Sequence, residues 1–115
     1  MRNKVAIVTG SSKGIGKAIA LIFAKSKGYS SIVINARKIE EAQTVSDEIK
    51  NKLNCQSIAI EADISKEDDC IRLIEETIKY FGRIDVLVNN AGIQEDVPFT
   101  ETTLKEWYKI VKVKY

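Results

Sequence analysis

The apolar run Val5-Ala6-Ile7-Val8 breaks at Thr9-Gly10-Ser11-Ser12-Lys13-Gly14-Ile15-Gly16, and a helical pattern follows directly. A strand, a glycine turn and a helix in that order let backbone N–H groups approach a pyrophosphate. A Cβ at the glycine positions would block close approach of ligand or backbone, and some of these turn positions require positive φ. The following helix turns its first amides and the positive end of its dipole toward an anion. A tight turn without a ligand would also explain one such cluster, but a second signature, Asn89-Asn90-Ala91-Gly92, closes another apolar run.

The rest of the chain alternates strand and helix patterns, the mark of βαβ units around a parallel sheet. Strands are predicted at Val5–Thr9, Ser31–Asn35, Ser57–Glu61 and Val86–Asn89. The first helix begins near Gly14, is expected to bury Ile15, Ile19, Ile22 and Phe23, and stops around Lys27-Gly28. The second runs from about Ile39 to Leu53 with Ile39, Ala42, Val45, Ile49 and Leu53 on one face. In the third, Ser65 is the expected cap and Asp68 favours the first turn. Its stripe is Ile71, Ile74, Ile78 and Phe81, and Gly82 ends it. Thr103 with Glu106 forms a capping box for a last helix carrying Leu104, Trp107, Ile110 and Val111. Right-handed crossovers predict the strand order 3-2-1-4. Ligands then bind beyond the carboxyl ends of the strands where the order reverses, and both glycine signatures fall there.

Composition narrows the function. The 115 residues suit one domain, and 18 basic against 16 acidic residues (net +2) give no electrostatic case for nucleic acid or an anionic membrane. No apolar stretch approaches a bilayer span, and the N-terminus enters a strand with no signal-peptide core, so a cytoplasmic location is expected. Cys55 and Cys70 stand in unrelated contexts and read as free thiols. Without histidine, a Ser-His-Asp triad is excluded and no metal site is expected.

Together, Thr9-Gly10-x-x-x-Gly14-x-Gly16 and Asn89-Asn90-Ala91-Gly92 resemble the short-chain dehydrogenase/reductase family, over Val5 to about Val113. The resemblance implies a Rossmann-type, doubly wound parallel α/β sheet binding NAD(P)(H), in a chain holding only the cofactor-binding half. Gly10, Gly14 and Gly16 are then the pyrophosphate turn. The amides of Ser11, Ser12 and Ile15, with the two serine hydroxyls, are candidate phosphate or ribose donors; alternatively the serines only favour the turn. Asp63 is implied as acceptor for the adenine amino group, the alternative being a first-turn acid for the helix dipole. Asn89 is implied to tie neighbouring strands, and Ala91 and Gly92 to leave room for the nicotinamide-side ribose.

The end of the second strand, Asn35-Ala36-Arg37-Lys38, bears on NAD against NADP. An acid there would accept hydrogen bonds from ribose hydroxyls, but the nearest is Glu40. A carboxylate repels a 2′-phosphate, whereas the Arg37 guanidinium can hold one bidentately, with Lys13 as a second cation. NADP(H) is therefore expected over NAD(H).

Family catalysis uses a serine, a Tyr-x-x-x-Lys pair and a supporting asparagine. The serine and the pair normally come later than this chain extends, and Lys114 stands at the asparagine position. Tyr108 and Lys112 match Tyr-x-x-x-Lys, but too early to be the catalytic helix, and no catalytic residue is assigned. The expectation is an amino-terminal half of an oxidoreductase, interrupted by a stop or frameshift and inactive alone. Expected partners are a dinucleotide and either a complementary carboxyl-terminal half or a second copy, joined through the open edge at Val86–Val88 and the last helix. The alternatives are a non-enzymatic dinucleotide-binding module and a decayed fragment.

Overall fold

The computed structural model describes residues 4–26 and 28–90. They form β1 (Lys4–Val8), α1 (Gly14–Lys25), β2 (Tyr29–Ala36), α2 (Ile39–Lys52), β3 (Gln56–Glu61), α3 (Glu67–Phe81) and β4 (Val86–Val88). All strand pairs are parallel and the order is β3-β2-β1-β4, as the sequence predicts. Ala91, Gly92, Pro98, the last helix with its Thr103–Glu106 box, the Tyr108–Lys112 pair and Lys114 lie outside the described residues.

The strands read as almost unbroken apolar runs because helices cover both faces. Alternate side chains go to opposite sides. Ala6, Val8, Ile32 and Ile34 meet Ala20 and Ala24 of α1 and Ala42, Val45 and Ile49 of α2. Val5, Ile7, Val33 and Ile60 meet Cys70, Leu73 and Ile74 of α3. Fully buried aliphatics such as Ile32, Ile34 and Leu73 each contribute about 2 kcal/mol through lost apolar surface.

Two helices depart from expectation. On α1 the face against the sheet is Gly16, Ala20 and Ala24. Ile19 and Phe23 are only half-buried, and Ile15 and Ile22 are 62% and 68% exposed. The spacing of four is right, but the helix approaches the sheet too closely for large side chains, so the stripe is rotated onto small ones. On α3 the cap position is Lys66, with no side-chain cap, and not Ser65. The Ser65 hydroxyl and N–H both donate to Asp63 Oδ1, at 2.6 and 3.0 Å. This local turn competes with capping. Asp68 does lie in the first turn, beside Glu67 and Asp69. The buried stripe is Cys70, Leu73, Ile74 and Thr77, flanked by Ile78 and Phe81. Gly82 ends the helix as expected, its N–H donating to the Ile78 carbonyl at 2.8 Å.

At the amino ends of the strands, β1 and β4 are closed by one carboxylate. Val5 N–H donates to Asp85 Oδ2 at 2.8 Å, and Asp85 N–H donates to the Val5 carbonyl at 2.9 Å. Arg83 donates to both Asp85 oxygens, at 2.9 and 2.6 Å. Burial pushes the Asp85 carboxyl up, but the Arg83 and Val5 hydrogen bonds and the charges of Arg83 and Lys4 outweigh it and hold the group below its ordinary value. A carboxyl depressed by folding adds stability above its unfolded pKa, about 3.9, and loses it as pH falls through the folded value. Thermal melts are therefore expected to drop below about pH 4, and Asp85→Asn to flatten that drop. An unchanged acid limb in Asp85→Asn would refute this role.

Candidate functional site

The carboxyl ends of β1 and β4 converge where the strand order reverses. β1 runs into Thr9 and Gly10, and β4 into Asn89 and Asn90. Gly10 and Gly14 have φ of 59° and 62°, the left-handed region where a Cβ is penalised. Gly16 serves differently: a Cβ there would lie 2.2 Å from the Gly10 carbonyl oxygen and 2.6 Å from Asn90 Nδ2. Helix and turn touch at that point.

Buried polar side chains fasten the turn. Asn90 Nδ2 donates to the Gly10 carbonyl at 3.2 Å, and Asn90 N–H to Thr9 Oγ1 at 2.8 Å. Thr9 Oγ1 in turn lies 3.3 Å from the Val88 carbonyl and 3.4 Å from Asn89 Oδ1, either of which can accept its proton. Asn89 thus does contact β1's end, but the tie between β1 and β4 is made chiefly by Asn90. On the other side, Gly10 N–H donates to Asn35 Oδ1 at 3.0 Å.

Ser11 corrects the reading of both serines as ligand donors. It is fully buried. Its hydroxyl donates to the Val8 carbonyl at 2.6 Å and accepts from Asn35 N–H at 3.0 Å, while its N–H donates to the Asn35 carbonyl at 2.9 Å. Hydroxyl and amide are both engaged within the fold, so Ser11 shapes the turn. Ser12 is half-buried, and Lys13, Gly14 and Ile15 are exposed. The first backbone rung of α1 runs from Lys17 N–H to the Lys13 carbonyl, so the amides of Gly14, Ile15 and Gly16 precede the helical ladder.

Charge at the helix entrances differs. α2 has Glu40 and Glu41 in its first turn, and α3 has Glu67, Asp68 and Asp69. α1 has no acid there and no side-chain cap. Its positive end is complemented by nothing in its own first turn.

Arg37 and Lys38 follow β2 and are exposed. Asp63 follows β3 two residues on. Its carboxyl is held below its ordinary value first by the side-chain and backbone hydrogen bonds of Ser65, against a smaller upward push from burial, with the charges of Lys66 and Arg37 adding to the lowering. The loop is braced from α3: Asp63 N–H donates to Asp69 Oδ2 at 2.7 Å, and Arg72 donates to the Glu61 carbonyl at 2.6 Å. The structure therefore places Gly10, Gly14, Gly16, Ser12, Lys13, Ile15, Arg37, Asp63 and Asn89 beyond the carboxyl ends of the strands. A depression of about 460 Å³, lined in part by Lys50, Cys55, Tyr80 and Phe81, lies at the opposite ends of the strands. Burial pushes the Cys55 thiol up, which keeps it in the unreactive protonated form. No group of three His, Cys, Asp or Glu among the described residues could hold a metal ion, and no helix among them is long and apolar enough to cross a membrane.

Thr9, Asn35 and Asn90 are the participants that sequence reasoning left without a role in the turn. The usable signal was chemical: each is a hydrogen-bonding residue within two positions of the end of an apolar run.

A family model described as short chain dehydrogenase matches residues 4–115. The chain belongs to that family. It is 42% identical over 109 residues to the 3-oxoacyl-(acyl-carrier-protein) reductase FabG of Staphylococcus epidermidis, covering 95% of this chain and 44% of that relative. Among solved structures, a 7α-hydroxysteroid dehydrogenase complexed with NADH and 7-oxo glycochenodeoxycholic acid superposes with a TM-score of 0.81 at 32% identity, over 98% of this chain and 48% of the other. A metagenomic short-chain oxidoreductase in complex with NADP gives 0.69 at 35% identity, over 80% and 40%. The chain thus spans less than half the length of these relatives.

Proposed function

We propose that this protein binds NADP(H) across the ends of β1 and β4 and serves an oxidoreductase that moves hydride between that cofactor and a carbonyl or alcohol. The observation that carries the reading is the entrance of α1. It lies behind a turn whose first two amides are consumed internally, it has two left-handed glycines, and it alone among the three described helices has no acid in its first turn. Such an entrance suits a diphosphate. The amides of Ser12 to Ile15 would face the pyrophosphate, with Gly16 keeping helix and turn in contact. Arg37 and Lys13 would take a 2′-phosphate, and the ionised Asp63 would accept from the adenine amino group. Asn89 contributes through its contact with Thr9, and by family resemblance Ala91 and Gly92 would border the nicotinamide ribose. The bound nicotinamide supplies the hydride; the protein binds and orients it.

Relatives with NADH and with NADP are both known from the comparison, so the preference rests on Arg37 and Lys13 and on the lack of an acid directly after β2. Titration of the purified protein is expected to show NADPH binding about tenfold or more tighter than NADH. NADPH at a hundred times its Kd should stabilise the fold by about 2.7 kcal/mol in thermal melts. Equal or tighter NADH binding would overturn the cofactor choice, and no stabilisation by either would overturn the site. Because the chain is expected to be inactive alone, hydride transfer is read after co-expression with the carboxyl-terminal half of a relative, as loss of NADPH absorbance on adding a ketone. Binding that no such half converts to turnover favours a dinucleotide-binding module instead.

A further inference from the structure

We infer that Asn35 is a positioning residue for the dinucleotide, one buried side chain that sets the phosphate turn and the adenine-side loop relative to each other. The inference rests on the NADP(H) reading above and adds to it a residue that touches no ligand.

Asn35 is 1% exposed at the end of β2, the strand between β1 and β3. Its Oδ1 accepts from Gly10 N–H at 3.0 Å. Its Nδ2 donates to the carbonyls of Ile60 and Ala62, at 3.1 and 3.3 Å. Its own N–H and carbonyl pair with Ser11, as described. One end of the side chain thus grips the residue that opens the glycine turn, and the other grips the residue before Asp63. Ala62 also donates its N–H to the Ala36 carbonyl at 3.0 Å, so the loop leaves β3 from a fixed point.

The site demands one acceptor and two donors from a short planar group, which a primary amide supplies in full. Leucine matches the shape and supplies neither. Glutamine has the chemistry but is one methylene too long. Aspartate keeps the acceptor toward Gly10, but when ionised it turns an oxygen toward two carbonyls. Burial and those carbonyls would then favour the protonated acid, which can donate again. Asn35→Asp is therefore a variant whose defect a proton repairs.

The test measures NADPH affinity for wild type, Asn35→Ala and Asn35→Asp from about pH 8 to about pH 5, each variant expressed as a ratio to wild type at the same pH so that titration of the cofactor phosphate cancels. Asn35→Ala is expected to bind about tenfold to a hundredfold more weakly at every pH, as misplaced positioning groups do. Asn35→Asp should be as weak near pH 8 and recover toward wild type as pH falls. Variants that bind like wild type, or an Asn35→Asp ratio flat with pH, would overturn the assignment while leaving the NADP(H) reading intact. Wild type that fails to bind NADPH would overturn both. A measurement on wild type alone guards against variants that do not fold: the Asn35 side-chain amide protons should exchange with solvent far more slowly than those of the exposed Asn54 in nuclear magnetic resonance spectra. Equal exchange at the two positions would overturn the proposal.

Discussion

Gly16→Ala is expected to destabilise the protein by about 3 kcal/mol, near the top of the usual range for overpacking, and to remove NADPH binding. The added methyl carbon would lie 2.2 Å from the Gly10 carbonyl oxygen and 2.6 Å from Asn90 Nδ2. Neither can retreat cheaply. The oxygen belongs to the Gly10–Ser11 peptide, which is held at Ser11 N–H by the Asn35 carbonyl and at its own carbonyl by Asn90. The Asn90 side chain cannot withdraw without leaving that carbonyl and pulling on a backbone whose N–H is bonded to Thr9. Relief must come from lifting the start of α1 off the sheet, which displaces the amides proposed to meet the diphosphate. Gly28→Ala is the matched control. No atom lies within 4 Å of a Cβ there, and the change should fall within about 0.5 kcal/mol of wild type. Denaturant melts and NADPH titration of both variants check the pair. A Gly16→Ala protein as stable as Gly28→Ala would refute the contact.

Arg37→Asp should weaken NADPH binding about a hundredfold, combining the loss of a charge-assisted hydrogen bond with new repulsion. NADH affinity should hold or rise, since NADH lacks the group that the guanidinium is proposed to hold and an acid after β2 can accept from its ribose hydroxyls. Lys13→Ala, removing a more flexible cation, should cost NADPH less, about tenfold. Because Arg37 is exposed, the wild-type preference for NADPH should shrink as salt is added. The decisive quantity is the ratio of the two affinities, measured for each variant at fixed ionic strength. A parallel loss of NADPH and NADH in Arg37→Asp would mean that the residue supports the loop and does not read the phosphate.

The architecture was legible because its signals are repetitive. Four apolar runs separated by helical stretches leave few topologies, and the glycine turn marks where the crevice opens. The inward face of α1 was misread for a physical reason. Hydrophobicity points to Ile15 and Ile22, yet a helix lying this close to a sheet turns Gly16, Ala20 and Ala24 inward. Ser65 was misread because its competitor, Asp63, is two residues away and takes its hydroxyl. Ser11 looked like a donor because a loop serine has many uses, and only three dimensions reveal that Val8 and Asn35 already engage it. Asn35 was hidden in plain view: its segment was read for charge at Arg37, while the polar atom that reaches both Gly10 and Ala62 sits two residues earlier. Partners across a parallel sheet are remote in sequence, and no local pattern announces them.

The bonds from Asn90 to Thr9 and Gly10, and from Asp85 to Val5, span 80 or 81 positions. A ribosome adding roughly 5–20 residues per second needs on the order of 4 to 16 s to cover that interval. During those seconds the nascent β1 has made its glycine bend but lacks β4, the neighbour that braces it at both ends. The glycine bend thus waits for a strand synthesised some 80 residues after it.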